Sequence, residues 1–386
     1  MRVNPTARDD GTSWLMTPRR TFLGFLISLL FSGCRKNDSV NQKVLTIGAI
    51  LPLTGDNAKY GIWIQEALEL YKIKVNSEGG INGARLEIIY EDDQTKPEVA
   101  TSAMRKLIDV NKVPVVYGSW ASSCVLAQAP IAEKARVIVV GQAISPKIRD
   151  AGDYIFRSIP DANHSLEALV PFARKNGTQK AAVIYVNNDY GVDQAAVFKN
   201  KLTAAGGEVV FEEGYNVDQQ NFLPILAKLQ NVPFDTLYLP GYSEVGTILK
   251  QAKELGITAT CYASDPFENE DILEVAKNTA EGVCYPFFYL PGRGSEKLKW
   301  FEEAYKKRYA RPPEGSAALA YNGIDVVVSA MRQADDNWDT TKIKAELYKI
   351  QDYDGVLGRV SVDQNGDMLL QVYIKTVRNG KFIHAE

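Results

Sequence analysis

Residues 44–80 read VLTIGAILPLTGDNAKYGIWIQEALELYKIKVNSEGG, and their rhythm decides the fold. Val44–Ile50 is an apolar run of strand length. Ile62–Asn76 then sets Ile64, Ala67, Leu68, Tyr71 and Val75 on one helical face, and Glu78-Gly79-Gly80 closes the helix. The alternation goes on. Leu86–Tyr90 predicts a strand, Glu98–Asp109 a helix, Val113–Tyr117 a strand, Ala127–Lys134 a helix and Val137–Val140 a strand. After Ile159-Pro160 the pattern restarts with a strand at Ala181–Val186 and a helix at Gly191–Ala205, ended by Gly206-Gly207. Short elements follow at Glu208–Phe211, Phe222–Leu229, Thr236–Leu239, Val245–Leu255, Thr258–Tyr262 and Val283–Phe288.

Short strands separated by helices of this length demand parallel sheets covered on both faces. The restart predicts an α/β protein built from two doubly wound parallel-sheet lobes. Beyond Phe288 lie helices at Glu296–Tyr309 and Ala317–Ala334, a shorter one near Lys342–Ile350, and a Gly-rich strand pair. Such a tail completes the first lobe and finally crosses back to the second. The expected limits are 44–161 with 289–366 for the first lobe, and 162–288 with 367–386 for the second.

Upstream, residues 17–34 join a basic pair (Arg19-Arg20) to an apolar stretch and to small residues before Cys34. The stretch is too short to span a bilayer comfortably, so residues 1–33 read as an export signal rather than a membrane helix. Ser32-Gly33-Cys34 resembles a lipobox, in which Cys34 is lipidated and becomes the first mature residue, with 34–43 as a polar tether. Arg19-Arg20 with Phe22-Leu23 also resembles a twin-arginine signal, although Gly24 stands where a lysine is usual. Phe31 is larger than the usual Leu or Val of a lipobox, and an ordinary cleaved signal with a chance cysteine is the alternative. Met16 is a second candidate start. The expected location is periplasmic or at the cell surface, anchored through Cys34.

With 45% hydrophobic and 24% charged residues, the remainder has the composition of a soluble globular protein of two ordinary domains. The net charge is −3, and the first 33 residues carry four arginines and two aspartates, which leaves the rest near −5. That balance argues against nucleic acid and against a basic membrane-docking surface. Apart from Cys34, the cysteines are Cys124, Cys261 and Cys284, an odd set. Cys261 and Cys284 either pair or remain buried thiols. No CxxC or His-rich spacing suggests a metal, and no cofactor is expected. The only histidines, His164 and His384, adjoin no Gly-x-Ser-x-Gly elbow, and no phosphate-binding glycine loop follows a strand. The chain is therefore expected not to be an enzyme.

Several ordered segments carry a resemblance. They are Ile47-Gly48-Ala49-Ile50-Leu51-Pro52-Leu53-Thr54-Gly55, Tyr60-Gly61, Asn76-Ser77-Glu78-Gly79-Gly80-Ile81-Asn82-Gly83, Tyr90-Glu91-Asp92-Asp93, Asn188-Asp189-Tyr190-Gly191 and Ala280-Glu281-Gly282. From Val44 to the end the chain resembles the leucine/isoleucine/valine-type periplasmic binding proteins of ABC importers, a type I periplasmic-binding-protein fold. The resemblance implies two lobes joined by three hinge crossings that close over a small ligand, which such sheets hold beyond the carboxyl ends of their strands. It implies a monomeric carrier that delivers an amino acid of branched-chain or aliphatic type to an ABC permease in the inner membrane. An amide, a urea-like compound or an aromatic carboxylate, bound by a carrier or a sensor, is the alternative.

The resemblance also implies site residues. Ser122, after the turn Gly118-Ser119-Trp120, would hold a carboxylate with the Gln142-Ala143-Ile144 loop; alternatively Ser122 and Ser123 only cap a helix. Ile144 replaces the family's threonine, so a hydroxyl is lost there, and either Gln142 compensates or the ligand's head group differs. Asp265 would pair with an ammonium, or simply start an Asp-Pro turn. Tyr190 would offer its phenol or only pack. Tyr60, Trp120, Tyr242 and Phe287 would line the apolar part, since aromatic residues at strand-to-helix loops are unusual as pure core.

Overall fold

The computed structural model describes residues 43–293 and 295–385. Cys34, Arg19-Arg20 and the rest of the expected signal and tether lie outside the described residues, apart from Lys43. The first lobe opens with β1 (Val44–Leu51), α1 (Ala58–Ser77), β2 (Arg85–Asp92), α2 (Pro97–Asp109), β3 (Val115–Tyr117), α3 (Ser122–Ala135), β4 (Ile138–Gly141) and β5 (Ile155–Arg157). Its five strands are all parallel, in the order β2-β1-β3-β4-β5. The chain then crosses into α4 (Ala162–Lys175), β6 (Lys180–Val186), α5 (Asp189–Ala204), β7 (Glu208–Tyr215), α6 (Leu223–Lys228), β8 (Thr236–Leu239), α7 (Val245–Glu254), β9 (Thr260–Ala263), α8 (Glu270–Ala276) and β10 (Cys284–Phe287). It returns through α9 (Glu296–Tyr309), α10 (Gly315–Gln333) and α11 (Thr340–Tyr348), which pack on the first lobe. A small antiparallel sheet follows, made of β11 (Tyr353–Gly355), β12 (Gly358–Val362) and β13 (Met368–Leu369). A third crossing leads to β14 (Tyr373–Arg378) and β15 (Lys381–His384).

The second sheet runs β15-β14-β10-β9-β8-β6-β7. It is not purely parallel, as the strand-helix alternation had led us to expect. β14 lies antiparallel to β10, and β15 antiparallel to β14. The cause is local. Arg378 pairs with Lys381 around Asn379-Gly380, and both turn residues have positive φ, the conformation that tight hairpins demand and that Asn-Gly supplies.

Side chains alternate across β6. Ala181 and Val183 join Leu166, Leu169 and Val170 of α4 and Phe198 of α5 on one face, while Ala182, Ile184 and Val186 face the other layer. Cys284 pairs with Tyr262, so Cys261 points to the opposite face of the sheet, and Cys124, Cys261 and Cys284 are all free. Near the crossings, Arg157 and Asp367 form a buried ion pair, and Arg157 Nη1 donates to Ser145 O at 2.8 Å. Burial pushes the Asp367 carboxyl up to about 6 despite the guanidinium beside it. No helix among the described residues is long and apolar enough to cross a membrane.

Candidate functional site

Each lobe presents a Tyr-Gly pair near the start of the helix that follows its first strand: Tyr60-Gly61 in α1 and Tyr190-Gly191 in α5. A Cβ on Gly61 would sit 1.9 Å from Pro52 O, and one on Gly191 2.0 Å from Val186 O. Only glycine lets these helices start flush against the strand ends, and the preceding tyrosines are thereby buried in the gap between the lobes. Tyr60 OH donates to Pro266 O of the second lobe at 2.8 Å and accepts from Asn269 Nδ2 at 3.2 Å.

The strand-end loops bring the other aromatic rings to the same gap. Trp120 stacks on Tyr60 with centroids 4.3 Å apart and lies 5.1 Å from Tyr242. Tyr242 in turn stacks on Tyr190 at 5.1 Å. Asn188 Nδ2 donates to Tyr242 OH at 3.1 Å, and Tyr190 OH donates to Ser264 Oγ. Burial drives the Tyr60, Tyr190 and Tyr242 phenols well above their ordinary range, so they remain neutral donors.

Asp265 follows β9. Its carboxyl is buried, Oδ1 has no hydrogen-bond partner, and burial pushes the group up to about 7. It lines a small cavity with Tyr60, Trp120, Gln142 and Phe287, as well as Ile159, Pro266, Glu268, Ser316 and Leu319. The cavity measures about 10 Å³, near the lower limit for one water molecule. Gln142 Nε2 reaches Ser316 O at 3.5 Å, and Gln142 Oε1 lies 3.4 Å from Tyr117 OH.

Five of the ten expected residues thus share one cavity, and Tyr190 and Tyr242 extend its aromatic wall. Ser122, Ala143 and Ile144 are buried beside it without lining it. The capping alternative for the serines is not what forms: Ala121 is the N-cap of α3, Ser122 Oγ accepts from Ser145 N at 3.3 Å, and Ser123 Oγ accepts from Asp189 N at 3.3 Å across the gap. Asp265 does begin a single 3-10 turn, so its turn-forming and cavity-lining roles coexist. Sequence reading missed Glu268 and Ser316. The signals were the spacing of Glu268, three residues after Asp265 on the same loop, and the Pro312-Pro313-Glu314-Gly315 entry into α10.

Further contacts hold the lobes together. Lys147 Nζ lies 3.2 Å from Asp189 and 3.1 Å from Asp193, Ser145 Oγ donates to Asp193, and Lys59 pairs with Asp271.

A family model described as periplasmic binding protein matches residues 44–381. The chain belongs to the periplasmic binding protein family. It is 28% identical over 337 residues to the leucine-, isoleucine-, valine-, threonine- and alanine-binding protein of Pseudomonas aeruginosa, covering 86% of this chain and 88% of the relative. The crystal structure of a leucine-binding protein from Thermotoga maritima superposes with a TM-score of 0.84 at 28% identity, over 89% of this chain and 98% of that one. A solute-binding protein of an ABC transporter from Rhodopseudomonas palustris, in complex with 3,4-dihydroxybenzoic acid, superposes at 0.79 with 26% identity, over 89% and 96%. The type I periplasmic-binding-protein fold, with its two lobes and three crossings, is thereby established for this periplasmic binding protein.

Proposed function

We propose that the chain is the extracytoplasmic receptor of an ABC importer, a binder rather than a catalyst, and that it captures a small amino acid of aliphatic type between its lobes. The observation that carries this reading is Asp265, a buried carboxylate facing the interlobe cavity with one oxygen unpartnered. A buried charge of this kind calls for a cationic partner, and a ligand ammonium supplies one. Tyr190 assists Asp265. Ser122 and the Gln142-Ala143-Ile144 loop take the carboxylate, while Tyr60, Trp120, Tyr242 and Phe287 face the apolar part. Hydrogen bonds from both lobes then favour the closed arrangement when ligand is present. The names of the Pseudomonas and Thermotoga relatives support the ligand class.

A thermal-shift screen against amino acids, short amides and benzoates tests it, because a tight ligand raises apparent stability by mass action. Alanine, valine or leucine should shift the melting temperature, and benzoate should not. The second reading, an aromatic carboxylate, is favoured by the row of rings. It is opposed by Asp265, which would repel a second carboxylate. A benzoate response with none from amino acids would replace the first reading by the second.

We further propose the lobe limits 44–161 with 289–366 and 162–288 with 367–386, the last adjusted by a few residues because Met368–Leta369 is avoided here in favour of the pairing of β13 with β12. Export through residues 1–33, lipidation at Cys34, a monomeric state and a permease partner complete the proposal. Loss of labelled fatty acid from a Cys34→Ala form in cells, with the protein still exported, is the expected result; retained label would remove the anchor.

A further inference from the structure

The aromatic rings of the site differ in how they are held. Tyr60 has two hydrogen bonds, to Pro266 O and from Asn269 Nδ2; Tyr242 is tied to Asn188, and Tyr190 to Ser264. Trp120 is held by ring contacts alone, with no side-chain hydrogen bond among the described residues, yet it fills the middle of the row between Tyr60 and Tyr242. Its indole is 9% exposed, and the cavity left beside it is about 10 Å³.

We propose that Trp120 sets the size of the ligand's side chain, by occupying the volume that a larger aliphatic chain needs. This rests on the amino-acid reading of the Asp265 site. A close-packed wall does not yield to extra methylenes without strain, so each added carbon must displace the indole or part the lobes. The walls on either side are tethered and stay in place. Removing the indole therefore leaves a real cavity rather than a collapsed one. The receptor as it stands favours alanine-sized ligands over leucine-sized ones, and the preference lies in one residue.

The test is calorimetry of the intact mature protein and of its Trp120→Ala and Trp120→Leu forms with alanine, leucine and benzoate, each form first checked for an unchanged cooperative melt. In the natural protein alanine should bind more tightly than leucine. In the Trp120→Ala form the leucine-to-alanine affinity ratio should rise by about tenfold or more, with a smaller rise for Trp120→Leu. If Trp120→Ala does not fold, the Trp120→Leu form decides by the same ratio. A ratio unchanged within about twofold, with amino acids still bound, overturns the inference alone, since the removed methylenes should matter by more than that. Binding of benzoate but of no amino acid by any form overturns the amino-acid reading and the inference with it.

Discussion

Lys375 Nζ stands 2.5 Å from Glu268 Oε2, with both side chains buried. Tyr285 OH donates to the same carboxylate oxygen at 2.8 Å. Glu268 is thus satisfied from within the second lobe, whereas Asp265, three residues earlier on the same loop, keeps a free oxygen. Two acidic groups face one cavity, and only one is left for a ligand.

Replacing Lys375 by Met should strand the Glu268 carboxylate in the interior and destabilise the protein by about 3–5 kcal/mol. Adding Glu268→Gln should recover much of that loss. Denaturant melts of the single and double variants check it; additive losses would mean that the two side chains do not depend on each other.

Asp265 makes binding depend on pH. Its carboxyl is raised by burial to about 7, so it is largely protonated below that value and ionised above it. Amino-acid affinity should therefore weaken as pH falls from 8 to 6, and binding near neutrality should release a proton, visible as a buffer-dependent heat. Asp265→Ala should weaken binding by well over tenfold, given about 3–5 kcal/mol for a lost buried partner. Without ligand the sign is opposite. A raised folded-state value stabilises at low pH, and that contribution is lost as pH rises from about 4 through about 7. Asp265→Asn should thus gain stability relative to the natural protein at pH 8 but not at pH 4, and equal melts across that range would contradict the assignment.

Lys147 bridges Asp189 and Asp193 from the opposite lobe, but its side chain is 52% exposed. Exposed ion pairs contribute about 0–1 kcal/mol, so Lys147→Ala should weaken ligand binding by no more than about fivefold. The effect should shrink further in high salt. A much larger loss by calorimetry would place the lysine in the binding machinery.

Gly191→Ala would drive a methyl group to 2.0 Å from the Val186 carbonyl oxygen. The obstacle is backbone, which cannot rotate away. A loss of about 1–3 kcal/mol in stability is expected, with weaker ligand binding because Tyr190 moves with the helix. A variant as stable as the natural protein would show that the start of α5 has slack.

Much of this architecture was legible in the sequence. β8 begins and ends where the apolar run Thr236–Leu239 does, and α9 spans Glu296–Tyr309 as its period requires. What escaped were elements fixed by tertiary contact. The three-residue β5 is recognisable only beside β4, and the sheet position of β14 depends on β10, far back in the chain. At the site, Asp265, Tyr60, Trp120, Gln142 and Phe287 were legible because strand ends face a common gap in this fold. The orientation of the Ser122 hydroxyl toward Ser145 was not, since a hydroxyl chooses among several nearby donors that the sequence does not order in space.

The hairpin that ends the described chain has a consequence for biosynthesis. β10 is flanked on one side by β9 and on the other by β14, so until the ribosome has read past residue 378 that side remains an unpaired edge. A product cut short before Tyr373 would carry a sticky margin in the second lobe while retaining the whole parallel sheet of the first. Fusions and truncations at the carboxyl terminus should accordingly be judged by aggregation rather than by lost ligand contacts.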